Sequence, residues 1–343
     1  MSSKSKGSKA NKPEWIQIVS KYQKPHTWKS VWQIINTTLP YLVLWYLMYR
    51  SLAVSYWITL GLAVITAGLH ARVFIIQHDC GHNSFFKSRK ANNIIGAIFG
   101  VVTLTPYAYW RKTHAMHHAT SGDLDFRGPG DIDTLTVQEY LDLDWKGRLR
   151  YRLFRNPIVM FVIGPTLMFA LFHRIPVKTP RAWKRERRSV YLTNLGIAAV
   201  VVAMGLLVGF KEFFLVQGPV IVFASTIGVW LFYVQHQFED TYWRRHPKWD
   251  YKTAALQGSS YFKLPAVLQW FSGNIGFHHI HHLSPLIPNY KLQEAFEENE
   301  MFQEVETVTI FSSFKTIFLN LWDEESKRLV SFAHLKKMKA NTA

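Results

Sequence analysis

The stretch 54-VSYWITLGLAVITAGLHARVFIIQHDCGH-82 decides how this chain folds. Its first part, Val54–Val73, is predominantly apolar. At about 1.5 Å per helical residue, twenty such residues cross a bilayer core of about 30 Å. The same run then delivers two histidines in i, i+4 spacing, His78 and His82, beyond the end of the apolar segment. Five other apolar segments flank it: Ile34–Leu52, Asn92–Trp110, Pro157–Phe172, Val190–Phe210 and Phe213–Gln235. Almost nothing separates the segment ending at Leu52 from that starting at Val54, and only Lys211-Glu212 joins the last two, so two helical hairpins are expected.

Asn92–Trp110 is read as embedded, because a crossing there would place the histidines before and after it on opposite faces of the membrane. Pro157–Phe172 is short and carries Gly164-Pro165, which predicts a break. If it crossed alone, the connector Arg174–Arg188, with seven Lys/Arg and one Glu, would face away from the basic N-terminus, against the positive-inside bias. The expected fold is therefore an all-α integral membrane protein. Four transmembrane helices in two hairpins, with two embedded segments, would carry a cytoplasmic helical cap, with both termini and the active site in the cytoplasm.

Composition agrees. Of 343 residues, 48% are hydrophobic and only 18% charged, below the quarter usual for soluble domains. The surplus of 40 Lys and Arg over 23 acids gives +17, which suits an anionic membrane surface or an acidic partner; no nucleic-acid motif accompanies it. A single cysteine, Cys80, excludes an internal disulfide. Residues 1–30 read as a basic tail whose first dozen, MSSKSKGSKANK, lack the apolar core of a signal peptide and predict disorder. Residues 31–300 read as the membrane domain. Residues 301–343 read as an amphipathic cytoplasmic tail, with helical spacing over Asn299–Lys339 that suits the membrane surface.

Two further histidine clusters repeat an i, i+3, i+4 pattern: HAMHH at 114–118 and HHIHH at 278–282. On a helix, residues three and four apart share a face, so each cluster can aim several imidazoles at one point. His236 caps the last apolar segment. The candidate ligands are thus His78, His82, His114, His117, His118, His236, His278, His281 and His282. One metal takes about six ligands at most, so nine suggest two metals; neutral imidazole suits iron, copper or zinc. Iron is preferred, since a membrane-facing site with open positions suits oxygen activation. Adjacent histidines point about 100° apart on a helix, so one cluster can serve both metals. Asp79, Asp123, Asp125, Glu239, Asp240 and Asn274 are the sequence neighbours expected to orient the rings. His26, His70, His173, His246, His279 and His334 read as polar surface residues, His279 pointing away from the site. Trp110, Tyr107 and Phe126 could line a channel, but core packing is the favoured reading for each.

The boxes HDCGH, HAMHH and HHIHH, with YVQHQFEDTYW around His236 and the run GNIGFHHIHHLSPLIPNY, resemble the membrane-bound fatty acid desaturases, over roughly Phe74 to Tyr290. The longer strings look most like bacterial and cyanobacterial acyl-lipid desaturases of the Δ12 (omega-6) type. The resemblance implies a non-haem centre of two iron ions on the cytoplasmic side of four spanning helices, in the bacterial inner membrane. It would insert a cis double bond into a fatty acyl substrate, lipid-linked or thioester, using O2 and two electrons. The box histidines and His236 carry over as ligands, while His279 departs from many such boxes. With no haem domain expected in the chain, a ferredoxin or small cytochrome would donate the electrons. Two rivals remain at this stage: a hydroxylase or ketolase with the same metals, and a metal transporter or sensor, whose ligands should lie at mid-membrane.

Overall fold

The computed structural model describes residues 13–128, 130–176 and 179–335, so the tail read from MSSKSKGSKANK lies outside the described residues. In chain order the first helices are α1 (Glu14–Ser20), α2 (Thr27–Ser51), α3 (Tyr56–His82), α4 (Arg89–Val102) and α5 (Tyr107–Thr120). The cap and second hairpin follow with α6 (Val137–Asp142), α7 (Trp145–Phe154), α8 (Gly164–Ala170), α9 (Lys184–Val208) and α10 (Phe210–His236). Then come α11 (Tyr251–Gln257), α12 (Ala266–Phe271) and α13 (His278–Leu283). The rest of the 1–30 segment is ordered where described: Val19 and Tyr22 pack with Phe277, Ile280 and Leu283.

Among the described residues three helices, α3, α9 and α10, are long and apolar enough to cross a membrane, and up to five crossings result if each of two bent pairs counts as one. Helix α2 is equally long but carries Lys29, Gln33, Asn36, Thr37 and Thr38 in its first half and does not reach that apolar level. Both expected hairpins form. The tighter one turns on Gly209 alone, at φ +95°, where a side chain is strained and an added Cβ would strike the Glu212 carboxylate. Leu39, Leu42, Leu195, Leu206 and Leu207 point outward, the reverse of a soluble surface and the signature of a lipid-facing one. Helix α3 is the central post. It is apolar on all sides, as a helix enclosed by others must be, and nearly every residue from Leu69 to Gly81 is buried against α2, α4 and α10.

The embedded reading of Asn92–Trp110 meets a bend of 102° between α4 and α5. Gly96 makes it possible: a Cβ there would lie 2.3 Å from the Tyr107 ring. Tyr107 is buried in that joint and its hydroxyl donates to the Cys80 carbonyl at 2.8 Å. The break expected at Gly164-Pro165 lies elsewhere. The chain bends by 62° between α7 and the helical run Val159–Arg174, whereas at Gly164-Pro165 it stays helical by widening into a π turn over Val159–Ile163. Proline has no N–H for an ordinary helical bond, and the wider turn absorbs that loss.

The tail also differs from its expected helix. Strand β1 (Tyr261–Lys263) pairs in parallel with β2 (Thr307–Thr309), and β3 (Leu321–Asp323) forms an antiparallel hairpin with β4 (Arg328–Val330). Among the described tail residues only Ile310–Thr316 and a short turn at 332–335 are α-helical. The fold is therefore mostly helical rather than all-α, and several described residues after 300 belong to its core. Phe302 packs with Ile280, Val308 with Phe262, and Leu321 with Val137, Tyr140 and Tyr151.

Candidate metal centre

The nine histidines reach the centre from the ends or bodies of four helices. Helix α3 ends on His82, because Asn83 turns into the left-handed region at φ 57°, which Asn tolerates. Helix α10 ends on His236. His114, His117 and His118 lie on α5, and α13 is little more than the third box, six residues all buried. The nine rings converge as two groups. His78, His82, His114, His118 and His281 form one; His117, His236, His278 and His282 form the other. Within each group the candidate ligand atoms lie within 4.8 Å of one another. Both HxxHH boxes contribute to both groups, as the 100° step between neighbours requires.

The nitrogens carry a stronger signal than their proximity. His117 Nδ1 pairs with the Asp131 carboxylate, and His236 Nδ1 donates to the Gly258 carbonyl at 3.3 Å. A neutral imidazole with its proton on Nδ1 presents a lone pair on Nε2. Yet His117 Nε2 and His236 Nε2 face each other at 3.3 Å, and His117 Nε2 faces His282 Nε2 at 3.3 Å. Lone pairs held that close repel unless a cation lies among them. In the other group, His78 Nδ1 pairs with Asp79 Oδ1 at 3.1 Å, and the buried Nε2 of His82 has no hydrogen-bond partner. Burial first, and then the neighbouring imidazoles, hold His278, His281 and His282 well below the usual imidazole range, so these rings are neutral at physiological pH. Neutral, buried, all-nitrogen sites fit first-row transition metals and do not suit magnesium or calcium.

Of the six neighbours expected to orient rings, only Asp79 touches a box histidine. Its second oxygen accepts from the Asn289 backbone at 2.7 Å and side chain at 2.8 Å. Asn274 stands one residue further out, donating to the Asn289 carbonyl at 3.2 Å. Asp123 pairs with His246, Asp125 with Arg245, and Glu239 and Asp240 lie at the surface against Arg328. Asp131 does what those four were expected to do. It follows the loop signal Gly128-Pro129-Gly130, which was its only trace in the sequence. His279 points away, as expected, with Nε2 donating to the Phe302 carbonyl at 3.0 Å. It is buried, however, as is His70, so the surface reading fails for both.

A cavity of about 620 Å³ runs down from this centre. His78 and His114 of one group and His117 and His278 of the other form its roof. Below them the walls are apolar, with Phe74, Trp110, Met160, Phe169, Val229 and Phe232 among them. It follows α10 from Gln235 to Ile221, about 21 Å at the helical rise. Trp110 lines it and stacks on His114 with centroids 4.5 Å apart; Tyr107 serves packing, and Phe126 is exposed beside His246.

Residues 55–312 match the family described as Fatty acid desaturase. A protein of Bacillus subtilis named "Fatty acid desaturase" is 49% identical over 93% of this chain and 90% of its own. An "sn-1 acyl-lipid omega-3 desaturase (ferredoxin)" of Synechocystis is 30% identical over 68% of this chain and 65% of its own. An "sn-1 oleoyl-lipid 12-desaturase" of Anabaena variabilis is 29% identical over 72% of this chain and 71% of its own.

Proposed function

Since the chain belongs to the fatty acid desaturase family, we propose that it inserts a cis double bond into a lipid-linked acyl chain, Δ12-like in position, at a pair of non-haem irons. One observation carries this reading: a long apolar cavity ends beneath both histidine groups at once. His78, His82, His114, His118 and His281 would hold one iron, and His117, His236, His278 and His282 the other. Bound there, the irons would supply an O2-dependent oxidation of two adjacent methylenes, drawing two electrons from a ferredoxin or a small cytochrome.

The protein's own part is positioning. Methylenes offer no polar handle, so the bond that reacts is the one the cavity holds beneath its roof. Phe74, Ile75 and Phe232 line the walls near the roof and exclude water there. Asp79, Asp131 and the Gly258 carbonyl keep the Nδ1 protons of His78, His117 and His236, so the Nε2 lone pairs stay aimed at the metals.

We place the chain in the bacterial inner membrane with four spans, α2, α3, α9 and α10, and with the centre and both termini in the cytoplasm. The basic connector and the hairpin turns support this topology. A reporter fused at Glu212 should then be exported; a cytoplasmic reporter there overturns the topology. Expression in a host that makes only saturated and monounsaturated chains, with double bonds located by mass spectrometry, tests the activity. A new cis olefin is expected. An oxygenated product without one would make the enzyme a hydroxylase. Unchanged lipids in cells holding the iron-loaded protein would sink the assignment.

A further inference from the structure

We propose that Lys24, Lys29, Lys87 and Lys291 form the docking face for the acidic one-electron carrier, and that Tyr290, Asn289 and Asp79 link this face to His78. The inference rests on the desaturase reading and adds where its electrons enter.

The four lysines, with His26, surround a single concavity whose one acid is Glu294. They come from three separated parts of the chain: the turn into α2, the turn after α3 and the residue before Leu292. None of the four makes an ion pair among the described residues. Three arginines of the cap, by contrast, are already neutralised: Arg245 by Asp125 and Glu324, Arg127 by Glu139 and Arg328 by Glu239 and Asp240. Unpaired positive charge gathered in a hollow attracts an acidic surface and speeds encounter.

The second observation lies under the hollow. The His26 backbone donates to the Tyr290 hydroxyl at 2.9 Å, which also meets Ser30 Oγ at 3.2 Å. Tyr290 adjoins Lys291 on one side and Asn289 on the other. Asn289 makes its two hydrogen bonds to Asp79 Oδ2, and Asp79 Oδ1 meets His78 Nδ1. Covalent bonds and three buried hydrogen bonds therefore connect the lysine hollow to the five-histidine group. A hollow for lipid headgroups would have no use for that connection, so the protein carrier is the favoured occupant.

The balance requires such a carrier. Forming R–CH=CH–R′ from R–CH2–CH2–R′ releases two protons and two electrons, whereas reducing O2 to two waters takes four of each. The remaining two electrons come from two one-electron encounters with an iron–sulfur or haem protein, and two protons come from solvent.

The test uses the full-length, iron-loaded protein and an acidic 2Fe–2S ferredoxin as probe. The triple variant Lys29→Glu, Lys87→Glu and Lys291→Glu is compared with the parent, and the milder Lys→Gln triple serves if the first folds poorly. Lys248→Glu with Lys252→Glu, on exposed cap residues outside the hollow, is the charge control. Expected are an unchanged iron content, a Kd and a KM for ferredoxin raised at least about 10-fold, a kcat at saturating ferredoxin unchanged, and a flattened salt dependence. A ferredoxin Kd equal to that of the parent overturns the proposal. If vesicles containing phosphatidylglycerol bind the parent but not the variant while ferredoxin binding is unaltered, the hollow is a headgroup site and the proposal falls. If ferredoxin binds through these lysines but no olefin forms, the docking face stands and the desaturase reading fails.

Discussion

At the scale of single residues, what matters is which nitrogen of each ring keeps its proton. Asp131 holds the Nδ1 proton of His117, a ring whose Nε2 faces two other histidines of the four-membered group. Such outer partners are worth about 10–100-fold in metal affinity. Asp131→Ala should therefore lower by that factor the chelator concentration at which one of two bound metals is lost, read by elemental analysis after dialysis. Retention equal to the parent would show that the carboxylate has no such role. His279→Ala should keep both metals, because that ring bonds the Phe302 carbonyl instead. The nine histidines were legible because helical spacing is a local rule. Asp79 was legible because it adjoins His78. Asp131 was not, since fourteen residues and a loop separate it from His117 and no spacing rule spans a loop. Glu239 and Asp240 misled for the converse reason: α10 stops at His236, and the turn that follows carries them outward.

At the scale of elements, the bend between α4 and α5 sets where the second box sits. Gly96→Val would drive a branched side chain into the Tyr107 ring. Overpacking of this kind costs about 1–3 kcal/mol, and here it would also displace the helix that carries His114, His117 and His118. A lower thermal midpoint together with a loss of bound metal is expected from differential scanning fluorimetry and metal analysis. Gly61→Ala, where an added Cβ meets nothing within 4 Å, should match the parent in both. If the two variants behave alike, the joint is not what places the box. The hairpins could be read from sequence because length and apolarity suffice for a helix in lipid. The tail could not: β1 and β2 are short strands from 261–263 and 307–309 that pair across more than forty residues of sequence. Helical spacing in the tail lost to pairing across the cap.

At the scale of the whole molecule, cavity and centre share one continuous interior. Gly228 faces the cavity with open space beyond it, so Gly228→Leu should block the lower channel without touching a histidine. Cells expressing it should show products from shorter chains, or fewer products, by gas chromatography, with metal content unchanged; an unaltered profile means that the acyl chain lies elsewhere. Acid should open the same interior. Burial pushes His279 down to about 4 and holds His278, His281 and His282 well below the usual range. An unfolded imidazole titrates near pH 6.5, so below that pH the unfolded chain binds protons that the folded rings refuse. The stability present above pH 6.5 must then drain away as pH falls toward 4, by about 1.4 kcal/mol per pH unit for each ring that stays neutral in the fold. Metal opposes the loss, since it binds only the neutral rings and only when they converge. The thermal midpoint of metal-free protein in detergent should thus fall steeply between pH 6.5 and 4, and metal-loaded protein should hold its midpoint further into that range. Equal midpoints for the two forms at every pH would mean that the converged imidazoles are not joined by metal at all.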